Sequence, residues 1–248
     1  MKSAASVGLL LCVFVLSGCA SSIYGWQVRT SSTPFSSSVA PAVFQQEPVA
    51  LLLAVTSPGL RGNEVALAHY LQEILHKVTP EWKVVSPQET VARINGGGLA
   101  AEYMRMRAGH EESNIFDRDL LRKIGAEIGA RYVFQLRMAA FTQSMTDRWK
   151  FPALDIRLTQ TRSSDMRLVL QLWDAKTGEL VWVSAAETSM QNEAVSQDPV
   201  YLEDIARATL GGMMADFLNR RTASKYTPVN KVLDDLIKEA MPHEQNGK

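Results

Sequence analysis

The stretch Leu170-Gln171-Leu172-Trp173-Asp174-Ala175-Lys176-Thr177-Gly178-Glu179-Leu180-Val181-Trp182 decides how this chain is built. From Met166 to Trp173 the residues alternate, with Leu168, Leu170 and Leu172 on one face and Arg167, Val169 and Gln171 on the other. That is the period of a half-buried strand. Leu180 to Ala185 continues as a second strand. Between them Asp174 can bond its own backbone and Gly178 accepts positive φ, so the segment predicts an antiparallel hairpin.

Working outward, Ile128-Gly129-Ala130-Arg131-Tyr132-Val133-Phe134 reads as a helix end, a glycine stop and a strand running to Met138, with the helix starting at Phe116. Val49 to Val55 is a short continuous apolar run, as expected of a strand buried on both faces. Asn63 opens a helix to Val78 with Leu67, Leu71, Ile74, Leu75 and Val78 on one stripe. Trp82 to Val85 is a further strand. Ser86-Pro87-Gln88-Glu89 combines a capping box with proline at the first helical position, and that helix ends by Gly96-Gly97-Gly98. Leu99 to Arg107 is helical. Asp198-Pro199 starts a helix carrying Leu202, Ile205, Thr209, Met213 and Phe217. The expected fold class is therefore α+β (α/β-like): a mixed β-sheet of about five strands covered by helices, over residues 49–219.

This order of helix, Gly-Ala-x-Tyr-Val strand, and strand with Asp-x-x-Thr-Gly-x-x-Val-Trp resembles the periplasmic α/β domain of penicillin-binding-protein activator lipoproteins, the curli secretion lipoprotein and the amino-terminal domain of the Tol translocation protein. The resemblance covers roughly residues 49–219. Its motif residues are structural: Gly129 ends a helix, Asp174 and Gly178 shape a turn, and Trp182 packs.

The amino terminus is a targeting segment. Lys2 supplies a positive charge, and Val7 to Leu16 is apolar apart from Gly8, the length of a signal-peptide core and too short to span a bilayer. Leu16-Ser17-Gly18-Cys19 resembles a bacterial lipobox. The resemblance implies acylation of Cys19, cleavage before it after residues 1–18, and, with Ala20 in place of Asp, an anchor on the periplasmic face of the outer membrane. Acyl chains on one residue bury enough methylenes to hold a protein at a bilayer. Cys12 lies in the removed segment, so no disulfide or thiol chemistry is expected. Residues 19–48, rich in Ser, Thr, Pro and Ala with isolated aromatics at Tyr24, Trp26, Phe35 and Phe44, read as a lipid-anchored flexible tether.

Twenty-six Lys and Arg balance 26 Asp and Glu, which removes the electrostatic footprint of a nucleic-acid binder. His69, Glu73 and His76 share a helix face, but the histidines lie about 10.5 Å apart along the axis, too far for one ion. His110-Glu111-Glu112 reads as a charged loop, and Gly96-Gly97-Gly98 lacks the Lys-Ser/Thr of a phosphate loop. No metal, cofactor or catalytic constellation is expected.

Two features suit binding. Phe141 to Arg162 is expected as a long loop carrying Arg148, Trp149, Lys150 and Phe151, an aromatic and cationic composition suited to an interface. In residues 220–248, a linker and amphipathic helix, Val229, Val232, Leu233, Leu236, Ile237 and Ala240 form a stripe for a partner or for the domain itself. The reading is a non-enzymatic adaptor that assists or activates an envelope enzyme or assembly, with a protein partner, the membrane through Cys19, and homo-oligomers compatible. A secretion-channel subunit like the curli lipoprotein is the alternative, and a cell-envelope hydrolase the second.

Overall fold

Ile23 to Ser32, assigned to the tether by composition, instead form strand β1, which pairs antiparallel along its full length with a strand at the other end of the chain, from Ile23 opposite Glu193 to Ser32 opposite Ser184. The computed structural model describes residues 23–35, 39, 42–151, 156–194 and 200–227, with side chains described except in 23–26, 146–151, 156–160 and 192–194.

After β1 come α1 (Val43–Gln46), β2 (Val49–Leu51), β3 (Val55–Thr56), α2 (Glu64–Val78), β4 (Val84–Val85), α3 (Pro87–Gly96), α4 (Ala100–Ser113) and α5 (Arg118–Ile128). Then follow β5 (Tyr132–Phe151), β6 (Ile156–Asp174), β7 (Glu179–Ala194), α6 (Leu202–Asn219) and β8 (Ala223–Tyr226). One eight-stranded sheet has the order β4-β2-β5-β6-β7-β1-β8, with β3 beside β5. It is mixed: β2 runs parallel to β4 and β5, and the long strands are antiparallel. The class is the expected α+β. The strand count exceeds the expected five because Val49–Val55 divides into β2 and β3 and because β1 and β8 come from segments read as tether and linker.

Local signals explain the helix limits. Ser86 Oγ accepts the Glu89 amide at 3.1 Å, closing the start of α3. Asp117 does the same for α5, accepting the amides of Asp119 and Leu120 at 3.0 and 2.9 Å. Gly129 stops α5 at φ 70°, where a side chain would be strained.

Helices cover the sheet unequally. On one face α2 and α6 pack over its whole width, burying Leu67, Leu71, Leu136, Leu168, Leu170, Trp182 and Phe217. Each such side chain stabilises the fold by about 1.5–3 kcal/mol. The supposed tether belongs to this core: Phe44 lies 4.6 Å from Trp82 and 4.9 Å from Tyr132, and Phe35 lies 4.8 Å from Phe217. On the other face α3, α4 and α5 cover only β4, β2, the start of β5 and the end of β6, through Val85, Ile94, Tyr103, Met106, Leu121, Ile124, Val133 and Trp173.

Three further expectations change. The Phe141–Arg162 loop is the outer part of the β5–β6 hairpin, so Arg148, Trp149, Lys150 and Phe151 are strand residues. His110 is not in a loop but buried in α4. Within 220–248, Ala223–Tyr226 is strand β8 on the β1 edge; Leu233, Leu236 and Ile237 lie outside the described residues, as do Leu16, Ser17, Gly18 and Cys19.

Candidate functional site

Beyond the edge of α4 the second sheet face is bare among the described residues, and the strand registers line up its side chains in rows. One row runs Ala140, Arg167, Glu187, Arg29, Lys225 across β5, β6, β7, β1 and β8. Glu187 therefore stands between two arginine positions, and Arg167 Nη2 approaches its Oε1 at 2.5 Å. The next row runs Thr142, Asp165, Ser189, Gln27, and Gln27 Oε1 accepts the Arg29 Nε–H at 2.8 Å. All of these but Lys225 line a shallow depression of about 520 Å³.

Arg167 and Glu187 are more than half exposed, at 58% and 60%. Exposed cross-strand pairs of this kind contribute about 0–1 kcal/mol, so the charges serve the fold little and stay hydrated. The backbone beneath them is a five-strand ladder fixed from behind by α6. The surface is thus rigid and polar, with carboxylates and guanidiniums at fixed spacing, and can match a complementary surface.

A buried polar cluster ends the helical layer beside this face. Trp173 Nε1–H donates to Gln171 Oε1 at 3.1 Å, which fixes the Gln171 amide, so His110 Nε2 must also donate to that oxygen, at 2.8 Å. Gln171 Nε2 donates to the Asn114 carbonyl at 3.2 Å, and His110 stacks on Phe116 at 4.3 Å. Burial pushes the His110 imidazole below its usual value. Asn114 ends α4 in the left-handed region at φ 58°, and its side chain accepts a hydrogen bond from Arg137 on β5. The sequence signal for this cluster is slight: a lone histidine beside two glutamates resembles any charged segment.

At the end of β6, next to Trp173, Asp174 performs the turn role read from sequence and a second one. Its Oδ1 accepts the amides of Lys176 and Thr177 at 2.9 and 3.2 Å, while Oδ2 accepts Arg131 Nε and Nη2 at 3.2 and 3.1 Å. Gly178 takes φ 73° in that turn. These contacts hold the hairpin to the end of α5 and are structural.

His69 and Glu73 touch at 3.2 Å, and Glu73 is drawn to α6 by Arg207, whose Nη2 donates to Oε2 at 2.6 Å. That hydrogen bond holds the Glu73 carboxyl below its ordinary range. The helix face that carries His69 and Glu73 is therefore partly a brace between α2 and α6. Among the described residues no group of His, Cys, Asp and Glu could hold a metal ion, and no helix is long and apolar enough to cross a membrane.

No family model matches the chain, and no curated protein matches it. Solved structures do show a loose likeness. The PelC dodecamer from Paraburkholderia phytofirmans is 12% identical, with 76% of this chain and 95% of that chain covered and a TM-score of 0.42. A lipoprotein of Neisseria meningitidis is 13% identical over 70% of this chain and 96% of its own, with a TM-score of 0.41. The LpoB carboxy-terminal domain from Salmonella enterica is 17% identical over 60% of this chain and 86% of its own, with a TM-score of 0.36. The functional reading rests on the residues of this chain.

Proposed function

We propose that this chain is a lipid-anchored adaptor of the bacterial envelope, held by acyl chains on Cys19 at the periplasmic face of the outer membrane and presenting the bare half of its sheet to an envelope enzyme or assembly. The observation that carries the reading is the one-sided cover of the sheet: a rigid five-strand surface, backed by a full hydrophobic core, displays Arg29, Arg167, Glu187 and Asp165 to solvent. Charges so placed give specificity and orientation to an association rather than fold stability. Lipobox and signal segment support the location, because an adaptor works where its partner is.

The test is photo-cross-linking in native membranes from positions Gln27 and Ser189 on this face, with Asn95 on the helical layer as control. The expected result is one envelope protein captured from the sheet face alone, whose activity rises when purified adaptor is added. Equal capture from Asn95, or a captured enzyme indifferent to the adaptor, would contradict the reading.

A further inference from the structure

We infer that the far end of the β5–β6 hairpin is a second membrane contact, seated on the same leaflet as the acyl chains of Cys19. The inference rests on the acylation of Cys19 proposed above and adds to it an orientation for the whole domain.

Ile23, the first residue of β1, stands in one row with Glu193 of β7, Thr161 of β6 and Thr146 of β5. Past this row the described part of β1 stops and that of β7 runs one residue further, to Ala194, while β5 continues from Thr146 to Phe151 and β6 arrives from Ile156 to Thr161, still paired with each other. At about 3.3 Å per residue the two strands project roughly 15 Å beyond Ile23. Cys19 precedes Ile23 by four residues, which span at most about 14 Å when extended. Cys19 is therefore joined to the sheet at the end from which the hairpin projects, by a span of chain about as long as the projection. With β1 beginning at Ile23, the sheet starts four residues after Cys19, and an anchor there keeps the domain close to the surface.

Composition at that end matches a lipid surface. In sequence, residues 146–161 hold Arg148, Lys150 and Arg157 against Asp147 and Asp155, together with Trp149, Phe151, Ile156 and Leu158. Tryptophan and its neighbours favour the headgroup level of a bilayer, and clustered cations are attracted to anionic lipid. The rest of the arm marks how deep the contact goes. Thr142, Ser144, Ser163 and Asp165 occupy one face and Gln143, Met145, Arg162 and Ser164 the other, with Ser144 Oγ and Ser163 Oγ 2.6 Å apart. With Met145 the one apolar side chain among these, neither face offers the apolar outward run of about ten residues that a membrane-crossing strand needs, so this part of the arm stays in water. Contact is thus confined to the hairpin end.

The test uses two forms of the chain. The mature chain with Cys19→Ser, which has no acyl anchor, is floated with phosphatidylethanolamine vesicles with or without phosphatidylglycerol. It should bind the anionic vesicles, and the pair Arg148→Glu and Lys150→Glu should lower the partition about tenfold or more. The pair Trp149→Ala and Phe151→Ala should lower it severalfold, with thermal unfolding run alongside to show that each variant is folded. Second, the acylated chain is placed in vesicles containing nitroxide-labelled lipid, and Trp149→Phe should remove most of the quenched tryptophan emission. Absence of vesicle binding by the Cys19→Ser chain, or quenching unchanged by Trp149→Phe, overturns the inference. A cross-link from position 149 to a protein without lipid quenching overturns it in favour of a protein partner. Mass measurement of the Cys19 peptide judges acylation separately, so failure of the anchor is not mistaken for failure of the hairpin contact.

Discussion

Tyr226 Oη donates to Asp216 Oδ1 at 2.6 Å, joining the last described strand to the longest helix, while Thr30 of β1 donates to the other oxygen of the same carboxyl. Asp216 is fully buried. Its hydrogen bonds to β1 and β8 seat the edge of the bare sheet on α6, so the geometry of that surface depends on them. Tyr226→Phe should lower stability by about 1–3 kcal/mol, the cost of leaving a buried acceptor short of a donor. The urea midpoint should fall with the slope unchanged.

The same tyrosine sets an alkaline limit. Burial first, then the hydrogen bond to Asp216, pushes its pKa up from 10.0 to about 12. A group whose folded value is raised contributes stability that is whole below the unfolded value and lost as pH rises. The wild-type chain should therefore lose stability between pH 10 and 12, and Tyr226→Phe should flatten its share of that loss. Unfolding free energies across this window provide the measurement.

His110 acts in the opposite sense. Burial lowers its folded value below 6.5, so the unfolded chain binds the proton more readily. Stability should be full above about pH 6.5 and fall as pH drops below it. In His110→Gln, which cannot titrate, the slope from this group should vanish, as thermal midpoints at successive pH values would show.

Gly125 of α5 rests on the hairpin turn so closely that a Cβ there would lie 2.4 Å from Ala175 Cβ. Gly125→Ala should cost about 1–3 kcal/mol through overpacking, despite the better helix propensity of alanine. Adding Ala175→Gly should restore much of the loss. Failure of that rescue would show that the turn and helix are not coupled as the structure has them.

Much of the central fold was legible because its signals are local. The Asp174–Gly178 turn, the Ser86 cap and the Gly129 stop each carry their partner within a few residues. β1 and β8 carry no such mark: the partners of Ile23–Ser32 lie more than 150 residues away, and the segment is polar on its open side. The outer arms of β5 and β6 are polar on both faces, which erases the alternation that announces a strand and leaves a composition typical of loops. The bare face was illegible for a further reason. Arg29, Arg167 and Glu187 come from three strands and become neighbours only through register, which no spacing in sequence records. Arg148, Trp149, Lys150 and Phe151 were found by composition, and the register then placed them at the end of a hairpin instead of in a loop.

The Arg167–Glu187 pair separates fold from association. A double-mutant cycle on stability should give a coupling of about 0–1 kcal/mol, because both side chains are hydrated. Charge reversal at both positions should leave the thermal midpoint nearly unchanged and still weaken partner capture, since the pattern of charge on the face changes.

The most direct measurement is the yield of the Ser189 cross-link in native membranes, compared between the wild-type face and the face with Arg29→Glu and Arg167→Glu. The adaptor account predicts one discrete envelope adduct that falls at least tenfold in the reversed face while the protein stays folded and membrane-bound. An adduct of undiminished yield, or one formed equally from Asn95, would contradict it.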